Sequence, residues 1–501
     1  MTDLSYIINS LYLIKPELVI SVVLVIIVIT DLIMDKNKKL LPYISLAGLL
    51  VAGYYVIGQF GLNAFASKPT NGTGMIAVDS FGAFFKLIVI LSSLFIIYFS
   101  VNSDEVKLSV SRHGEYYSLI FGMILGMFFM LSAADLILIY LSLELVSFSS
   151  YVLAGFTKND LRNSEASLKY IIYGGVASGI MLFGISLLYG MTGSTNIYDI
   201  NIILQSSNYN SLTLLLSGLL IFTGIGYKIS AAPFHFWTPD VYEGAPVAIT
   251  AYLSIASKAA GFALLIRFIR TTFVLGVDQY GYWHLINFVD WKTIFIVISI
   301  LTMTLGNFAA LWQSNMKRLL AYSSIAHAGY ILLGLTVLSN QGLTAMLIYF
   351  GIYIFMTLGA FFVVMLISNK LGTEELEDYK GLGYASPWLG ISIGIFLVSL
   401  TGLPPTAGFI GKLYLFIALV DAKMIAVAVI ALLNSVVSLY YYIKVLRYMY
   451  LVKVETEKPE IIVSPANIAM LVILLAPIII LGIYFTPIVD LAKYSISLVG
   501  L

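Results

Sequence analysis

The sequence predicts an all-α polytopic membrane protein. Of its 501 residues, 60% are apolar and only 11% are charged, whereas about 25% are charged in a typical soluble domain. Apolar stretches of about 18 residues or more recur from one end of the chain to the other, and each is long enough to cross a bilayer as a helix. Prolines interrupt the two longest stretches, which is typical of broken helices inside a membrane.

About fourteen transmembrane helices are predicted from these stretches, and short polar loops connect them. The predicted spans are 11–34, 40–59, 80–101, 116–133, 135–156, 165–190, 211–242, 246–270, 291–313, 318–338, 341–369, 388–421, 423–450 and 462–487.

The loop charges predict the orientation of the chain. An even number of crossings places both termini on one side, and cytoplasmic loops carry the excess of lysine and arginine. We therefore expect both termini on the non-cytoplasmic side of a bacterial inner (plasma) membrane, with the thylakoid or mitochondrial inner membrane as the alternative. The richer side holds fifteen basic residues: Lys36, Lys38, Lys39, Lys107, Arg112, Lys158, Arg162, Lys317, Arg318, Lys370, Lys380, Lys444, Arg447, Lys453 and Lys458. The poorer side holds seven: Lys15, Lys68, Arg267, Arg270, Lys292, Lys423 and Lys493.

Composition also excludes several kinds of site. The net charge of +1 gives no field that would attract nucleic acid. Cysteine is absent, so disulfides and thiolate-bound iron–sulfur clusters are excluded, and four histidines are too few for several haems. We expect no cofactor and no metal ion bound by this chain.

Two spans, 211–242 and 388–421, are each more than 30 residues long, against the roughly 20 that a crossing needs. Pro233 breaks the first span, and Pro404 and Pro405 break the second. A proline has no N–H to bond the carbonyl four residues earlier, so each break predicts a hydrated pocket in the protein. The carbonyls expected to lack their helical partner are those of Ile229, Leu400 and Thr401.

The broken spans are the seventh and the twelfth, and their spacing predicts an internal repeat. A repeat of five crossings is odd in number, so its second copy must be inverted in the membrane. We therefore predict three N-terminal helices in residues 1–115, a first antiporter-like repeat in 116–270, a second, inverted repeat in 291–450, and a last helix in 451–501.

Three lysines lie deep inside apolar spans, too far from either surface to reach water easily: Lys228, Lys258 and Lys412. A charge at the bilayer centre costs roughly 2.5–3.5 kcal/mol on insertion scales, so we interpret these lysines as functional. Lysine suits proton transfer because burial readily shifts its pKa, whereas arginine effectively never deprotonates. Lys86 and Lys169 lie nearer to span ends, where a lysine is able to extend its amine to the surface.

Three further residues complete the candidate relay. Glu144, in the fifth span, is expected to pair with a lysine of the first broken helix, although a protonated, structural glutamic acid is the alternative. His327 lies in the tenth span, the counterpart of the fifth, and is expected to take the place of Glu144 there, with Tyr322, Ser323 and Ser324 holding water nearby. His235 follows the first break and is a candidate gate; either histidine is alternatively a packing residue.

Several motifs resemble a known family. KISAAPFHFWTPDVYEGAP and SKAAGF, which contain two of the buried lysines, resemble the proton-conducting antiporter-like membrane subunits of respiratory complex I. NMKRLLAYSSIAHAGYILLG and LTGLPPTAGFIGKLYLF are similar to the subunit N branch of NADH–quinone oxidoreductase. The resemblance covers nearly the whole chain. It implies a central hydrophilic axis for protons, in which Glu144, Lys228, Lys258 and Lys412 match motif positions and Lys169 matches a lysine of the sixth helix.

The resemblance implies a non-redox, proton-translocating subunit of an NADH- or ferredoxin-fed quinone oxidoreductase. NADH, FMN, iron–sulfur clusters and quinone are then expected only in partner subunits of the complex. The expected neighbours are subunit M, subunit K, the peripheral redox arm and the lipid bilayer. Two alternatives stay open: an Mrp-type cation/proton antiporter subunit, which works without redox input, and a structural scaffold with an inactive channel.

Overall fold

A computed structural model of the chain describes residues 4–34, 38–66, 73–107, 113–157, 161–206, 209–286, 289–452 and 460–499. Among the basic residues used to predict orientation, six lie outside the described residues: Lys36, Lys68, Arg112, Lys158, Lys453 and Lys458.

The N-terminal region consists of apolar helices and one β-hairpin. A short 3₁₀ turn, Lys38–Leu40, precedes the third helix, and prolines occupy the first turns of the second and third helices, where a missing N–H costs nothing. The elements are α1 (Leu4–Leu13), α2 (Lys15–Ile33), α3 (Leu41–Ile57), the antiparallel strands β1 (Asn63–Ala66) and β2 (Ile76–Asp79), α4 (Ser80–Asn102) and α5 (Asp104–Lys107).

The next region contains the first broken helix. Its helices are α6 (His113–Ser132), α7 (Leu136–Ala154), α8 (Leu161–Thr192), α9 (Ile197–Ser206), α10 (Ser211–Lys228), α11 (Trp237–Gly244), α12 (Val247–Tyr252) and α13 (Lys258–Phe273). A π-helical turn, Leu253–Ser257, joins α12 to α13 without a break in the chain direction.

A second hairpin, β3 (Val274–Val277) with β4 (Trp283–Leu285), leads into the region with the second broken helix. This region and the C-terminal helices comprise α14 (Trp291–Leu311), α15 (Met316–Thr336), α16 (Asn340–Leu371), a 3₁₀ turn (Leu376–Tyr379), α17 (Leu382–Ala385), α18 (Pro387–Thr401), α19 (Ala407–Asp421), α20 (Ile425–Tyr450), α21 (Pro465–Ile483) and α22 (Thr486–Tyr494).

The fold confirms the predicted class. Among the described residues, 12 helices are long and apolar enough to cross a membrane, and two shorter apolar helices, α3 and α18, lie at further predicted spans. The two hairpins were not expected from an all-α prediction, and they are only three or four residues per strand.

The core of the protein surrounds the segment from α12 to α13. Every residue of Val247–Phe273 is buried, and nearly all of α15 and α16 is buried as well. By contrast, α2 and α21 expose most of their apolar side chains, as helices facing lipid do. Lys258 therefore lies near the centre of the molecule.

Two regions of the chain repeat the same local contacts. The link before α7 pairs with the link after α8, because Leu136 N donates to Thr195 O at 2.8 Å and Ile197 N donates to Ala134 O at 3.0 Å. The link before α15 pairs with the link after α16 in the same way, since Met316 N donates to Glu374 O and Leu376 N donates to Ser314 O, both at 2.8 Å.

Close helix contacts repeat with the same sequence offset. A Cβ added at Gly126 would lie 3.1 Å from the carbonyl oxygen of Ser142, and one added at Gly306 would lie 2.9 Å from that of Tyr322. The α6–α7 pair and the α14–α15 pair are therefore packed at equivalent positions.

The basic residues at the end of α13 are not loop residues. Arg267 is completely buried and forms two hydrogen bonds of 2.8 Å with Asp79, and Arg270 donates to the carbonyl of Ile496 at 2.7 Å. Both arginines lie within the predicted span 246–270 and were counted with the poorer side. Their partners lie far along the chain, so hydropathy did not reveal that they are buried in the protein.

Candidate functional site

The first break separates α10 from α11 and directly follows Lys228. Ser230 adopts a left-handed backbone conformation with φ of 61°. The amide of Ala232 donates to the hydroxyl of Thr302 in α14 at 2.9 Å, and Thr238 donates to the hydroxyl of Ser230 at 2.8 Å. Hydroxyl groups thus provide hydrogen bonds where the helix is interrupted.

A small cavity lies beside this break, where the sequence predicted a hydrated pocket. It has a volume of about 180 Å³, and its lining is mostly aromatic and aliphatic, including Tyr173, Val176, Phe234 and Trp237. Within the break, the hydroxyl of Thr302 accepts the hydrogen bond of the Ala232 amide, and a hydrated pocket here stays a prediction.

Lys228 ends α10 with its side chain 1% exposed. Its amine donates to the hydroxyl of Ser147 in α7 at 3.4 Å. Its stem packs against α13, because a Cβ added at Gly261 would lie 3.6 Å from the Cβ of Lys228. The lysine therefore contacts both a neighbouring hydroxyl and the helix that carries Lys258.

The predicted ion pair between Glu144 and this lysine is wrong in its geometry. Both residues are described, and their charged groups form no ion pair. The half-buried carboxylate of Glu144 instead accepts a short hydrogen bond from Ser178 of α8. Ser147 lies one helical turn beyond Glu144 on the same face of α7, so the amine contacts this hydroxyl rather than the carboxylate.

Lys258 is the first residue of α13 and follows the π-helical turn. Its side chain is 2% exposed, and its amine donates to the carbonyl oxygen of Ser324 at 3.0 Å and, through a short bond, to the hydroxyl of the same residue. Single π turns inside helices are frequent at functional sites. Sequence periodicity gave no sign of this turn.

His327 is buried in α15, one turn after Ser324. Its Nδ1 lies 2.7 Å from the hydroxyl of Tyr349, and its Nε2 lies 3.2 Å from the hydroxyl of Tyr442. The hydroxyl of Ser323 bonds to the same Tyr442 hydroxyl. The histidine therefore joins three helices through tyrosine hydroxyls, which the sequence analysis did not single out.

His327 does not occupy the counterpart position of Glu144. The offset that relates the two packed helix pairs matches Glu144 with Ser324, and Ser147 with His327. The two residues that receive a lysine amine, Ser147 and Ser324, are therefore not equivalent to each other. The prediction gave His327 roughly the place of Glu144, and this alignment puts it one helical turn further along the helix, because span boundaries alone do not fix the alignment.

The second break lies between α18 and α19, and Lys412 closes it. Its amine donates to the carbonyl oxygen of Thr401, the last residue of α18, at 2.7 Å and to the hydroxyl of Ser435 at 3.1 Å. That carbonyl is one of those predicted to lack a helical partner. Gly402 has φ of +86°, and an added Cβ would lie 2.7 Å from the Lys412 stem, so glycine is required for the stem to pass.

A line of polar groups connects Lys412 with His327. The amine of Lys412 lies 4.6 Å from the ring centre of Tyr330, whose hydroxyl accepts from Ser435 at 3.3 Å. The rings of Tyr330 and His327 are 6.0 Å apart. With the Lys258–Ser324 contact one turn away, these groups form a buried row from the middle of the protein to the second break.

The comparisons with known proteins agree with this architecture. The family described as NADH:quinone oxidoreductase/Mrp antiporter, TM, matches residues 133–438. NADH-quinone oxidoreductase subunit N 2 of Chloroherpeton thalassium is 50% identical over 97% of this chain and 94% of the relative. The chain belongs to the NADH-quinone oxidoreductase subunit N family. It is an integral, multi-pass membrane protein.

Other similarities extend this assignment. NAD(P)H-quinone oxidoreductase subunit 2 of Gloeobacter violaceus is 37% identical over 96% of this chain and 91% of the relative. A chain in the structure of respiratory complex I from Thermus thermophilus with bound aureothin is 29% identical, with a TM-score of 0.77, over 95% of this chain and 99% of that chain. A chain of the Mrp complex from Dietzia is 21% identical with a TM-score of 0.79, over 99% and 97% of the two chains, and shows the shared fold alone.

In this member of the subunit N family, Lys169 lies in an ionic cluster away from the buried row. Its amine is 2.8 Å from Glu165 and 2.7 Å from Asp240, and its side chain is 37% exposed. Arg318 of α15 lies 2.7 Å from both Asp240 and Glu243. The cluster borders a cavity of about 290 Å³ and links α8, α11 and α15.

The two remaining candidates differ in their surroundings. His235 lies in the turn of the first break, buried, with its ring stacked on Phe236 at 4.5 Å; within the described residues it makes no hydrogen bond to any of the three deep lysines. Lys86 does not reach the membrane surface. It is 1% exposed and pairs with the equally buried Glu17 at 2.6 Å. This pairing crosses from α4 to α2, which the sequence did not reveal.

Across the part of the chain that the structure describes, no group of three or more histidine, cysteine, aspartate or glutamate side chains is arranged to hold a metal ion.

Proposed function

We propose that this subunit N family member carries protons across the membrane as a non-redox subunit of an NAD(P)H- or ferredoxin-fed quinone oxidoreductase. Quinone reduction in partner subunits drives the transfer. Lys228, Lys258 and Lys412 exchange the protons, Glu144 tunes the first of them, and His327 connects the last two. His235 lies in the turn of the first break and gates access to Lys228, whereas Lys169 makes only a minor contribution from the ionic cluster with Glu165 and Asp240.

The observation that carries this proposal is the kind of partner each deep lysine has. The amines of Lys228, Lys258 and Lys412 contact hydroxyl and carbonyl oxygens, and none of the three forms an ion pair with a described carboxylate. A neutral oxygen stabilises an ammonium less than a carboxylate does, so the protonated and neutral forms stay close in free energy. A lysine in that situation is able to accept and release a proton.

The energetic argument opposes a purely structural role. Three lysines at 2.5–3.5 kcal/mol each would cost about 8–10 kcal/mol of insertion free energy. That is comparable to the whole unfolding free energy of a typical domain. A scaffold with an inactive channel would gain nothing that offsets this cost, because apolar residues of similar volume would pack as well.

The proposed organisation has fourteen crossings and two inverted repeats, 116–270 and 291–450, between N-terminal helices in 1–115 and a last helix in 451–501. The repeated backbone pairing before α7 and α15, and the repeated glycine contacts, support two related copies. Each copy contains one broken helix. The odd number of crossings per copy is the argument for inversion.

In the proposed assembly the subunit lies in a bacterial plasma membrane with both termini on the non-cytoplasmic side. Subunits M and K are its neighbours, and partner subunits hold NADH, FMN, iron–sulfur clusters and quinone. The relatives named as quinone oxidoreductase subunits, and the similarity to a chain of respiratory complex I, support this assembly.

The test is Lys228→Met in the assembled complex, with Lys423→Gln, an exposed lysine at the end of α19, as the matched control. We expect intact assembly in native electrophoresis, loss of most proton pumping, and a parallel fall in quinone reduction because the two are coupled. Lys423→Gln should leave both unchanged. Full pumping in Lys228→Met would refute the relay.

The same preparation distinguishes the proposal from the alternative of an Mrp-type antiporter subunit. A chain of an Mrp complex shares this fold, so the fold does not separate the two. An antiporter subunit would co-purify without quinone-reductase subunits and would exchange cations for protons in vesicles without any electron donor. The proposal expects the opposite on both counts: co-purified redox subunits, identified by mass spectrometry, and transport that requires electron input.

A further inference from the structure

A groove between α2 and α3 lies on the exposed side of the N-terminal helices. It encloses a cavity of about 540 Å³ and follows one stripe of each helix. Nearly all of its lining is aliphatic, and Lys15 occupies one end. Among the residues that form its walls are Leu18, Val22, Ile26, Ala47 and Val51.

The groove has a fixed floor and a defined length. A Cβ added at Gly48 would lie 2.6 Å from a methyl group of Val23, so the two helices touch closely at this point. From Lys15 to Ile26 the helix rises about 16 Å at 1.5 Å per residue. This length corresponds to one leaflet, since the whole hydrocarbon core is about 30 Å thick.

A second cavity adjoins the same lysine. It has a volume of about 440 Å³, and its walls include Tyr12, Tyr54, Gly58 and Gln59 as well as Lys15. Phenol, amide and backbone groups make this second cavity far more polar than the groove. Lys15 therefore stands where an apolar groove meets a polar cavity.

The charge of Lys15 has no acidic partner among the described residues. Its amine lies 3.5 Å from the ring centre of Tyr12 and 5.4 Å from that of Tyr55, contacts that leave a net positive charge. The nearest carboxylate along the chain, Glu17, is buried and pairs with Lys86 at 2.6 Å. The side chain of Lys15 is only partly exposed, at the level where α1 meets α2.

We propose that this site binds one anionic phospholipid. The lipid phosphate lies against Lys15, the rest of the headgroup occupies the polar cavity, and one acyl chain follows the groove along α2. A single lysine near a membrane surface favours an anionic over a zwitterionic lipid about fivefold. The positive charge of Lys15, the length of the apolar groove and the polar cavity beside it all fit this class of ligand. None of these observations depends on the proton relay.

The test uses the assembled complex in vesicles of phosphatidylcholine and phosphatidylglycerol in equal parts. A trace of phosphatidylglycerol with a photoreactive acyl chain is cross-linked and the adducts are mapped by peptide mass spectrometry; a second sample carries the matching phosphatidylcholine probe. We expect adducts in α2 and α3 to be about fivefold more frequent with the anionic probe. Lys15→Gln should abolish that preference, and Ala47→Trp, which fills the groove, should remove adducts of both probes.

The matched controls are Lys423→Gln and Ala469→Trp, since both positions are exposed and neither lines the two cavities. Each should label as the unmodified chain does. Equal labelling by the two probes, or an anionic preference that survives Lys15→Gln, would overturn the proposal. So would the absence of adducts because a partner protein covers the groove, which cross-linking to another subunit would reveal.

Discussion

At both breaks a buried lysine amine lies where the first half of the broken helix ends, but the lysine comes from a different half in each case. At the first break, Lys228 is itself the last residue of α10, and its side chain reaches sideways to a hydroxyl of α7. At the second break, Thr401 ends α18, and Lys412 reaches back from α19 to its carbonyl. An ammonium therefore sits where the first half of each broken helix ends.

The two lysines therefore contribute differently to the stability of the two breaks. At the first break, the hydroxyls of Thr302 and Thr238 hold the interrupted segment, and Lys228 takes no part in it. At the second break, Lys412 itself provides the hydrogen bond that the Thr401 carbonyl needs. The second lysine thus combines a structural and an ionisable role, whereas the first is free of the structural one.

The largest effect is expected at Lys258, which lies in sequence between the two breaks and contacts Ser324 of α15. In Lys258→Arg the charge is kept but proton release is lost, because arginine effectively never deprotonates in proteins. Proton pumping by the assembled complex should fall to background, with quinone reduction falling alongside, as measured by acidification of inverted vesicles.

The control for this change is Lys423→Arg at an exposed position, which should pump normally. Lys258→Met serves as a second variant of smaller volume, so that poor fit of the arginine is separated from its fixed charge. Pumping by Lys258→Arg at the unmodified proton-to-electron ratio would contradict the role of Lys258 as a proton carrier.

An intermediate effect is expected when stability is compared between the two breaks. Lys412→Met leaves the buried Thr401 carbonyl without its 2.7 Å partner, and an unsatisfied buried group costs about 1–3 kcal/mol. Lys228→Met loses only a 3.4 Å contact and replaces a buried charge by an apolar chain, which is often neutral or stabilising. Dissociation of the heated complex, monitored by native electrophoresis, should therefore begin at a lower temperature in Lys412→Met alone.

If both variants lose thermal stability equally, the proposed division of roles between the two breaks is wrong. Assembly at low temperature, checked by native electrophoresis, ensures that the comparison concerns the folded complex. Gly402→Ala adds an internal check, because it displaces the Lys412 stem and strains the left-handed backbone while the amine remains present.

The sequence predicted those features that carry a large free-energy signal. A large free-energy cost follows when a membrane helix, a proline inside it or a lysine at mid-membrane depth is placed wrongly. The structure confirmed the predicted fold class, both breaks and the burial of Lys228, Lys258 and Lys412. Lys86 shows the limit of this reasoning. Its depth was compatible with reaching the surface, and only the long-range contact with Glu17 decided otherwise.

The residues that connect the lysines were missed for a physical reason. Tyr330, Tyr349 and Tyr442 are neutral, and the chain contains 34 tyrosines, so a buried phenol has no distinguishing signal in the sequence. Their hydrogen bonds join residues on different helices. One signal was available for Tyr330, which lies three residues after His327 and hence on the same helical face.

The smallest effect is expected at Lys169, and it tests how far the two copies share one mechanism. The helices α8 and α16 both contain 32 residues, and their alignment matches Tyr170 with Tyr349 but Lys169 with buried Ile348. Helix α16 thus has no lysine at this position. Lys169 is also partly exposed and held between Glu165 and Asp240, where an ion pair is worth about 0–1 kcal/mol. Losing so weak a pair should leave the fold intact, and because Lys169 lies apart from the three deep lysines, Lys169→Met should retain most of its pumping rate. Asp240 still has Arg318 as a partner in that variant, so the cluster should persist.

A loss of pumping by Lys169→Met as large as that of Lys258→Arg would instead mean that protons reach Lys228 through this ionic cluster. The region of the second break has no equivalent of such an entry path.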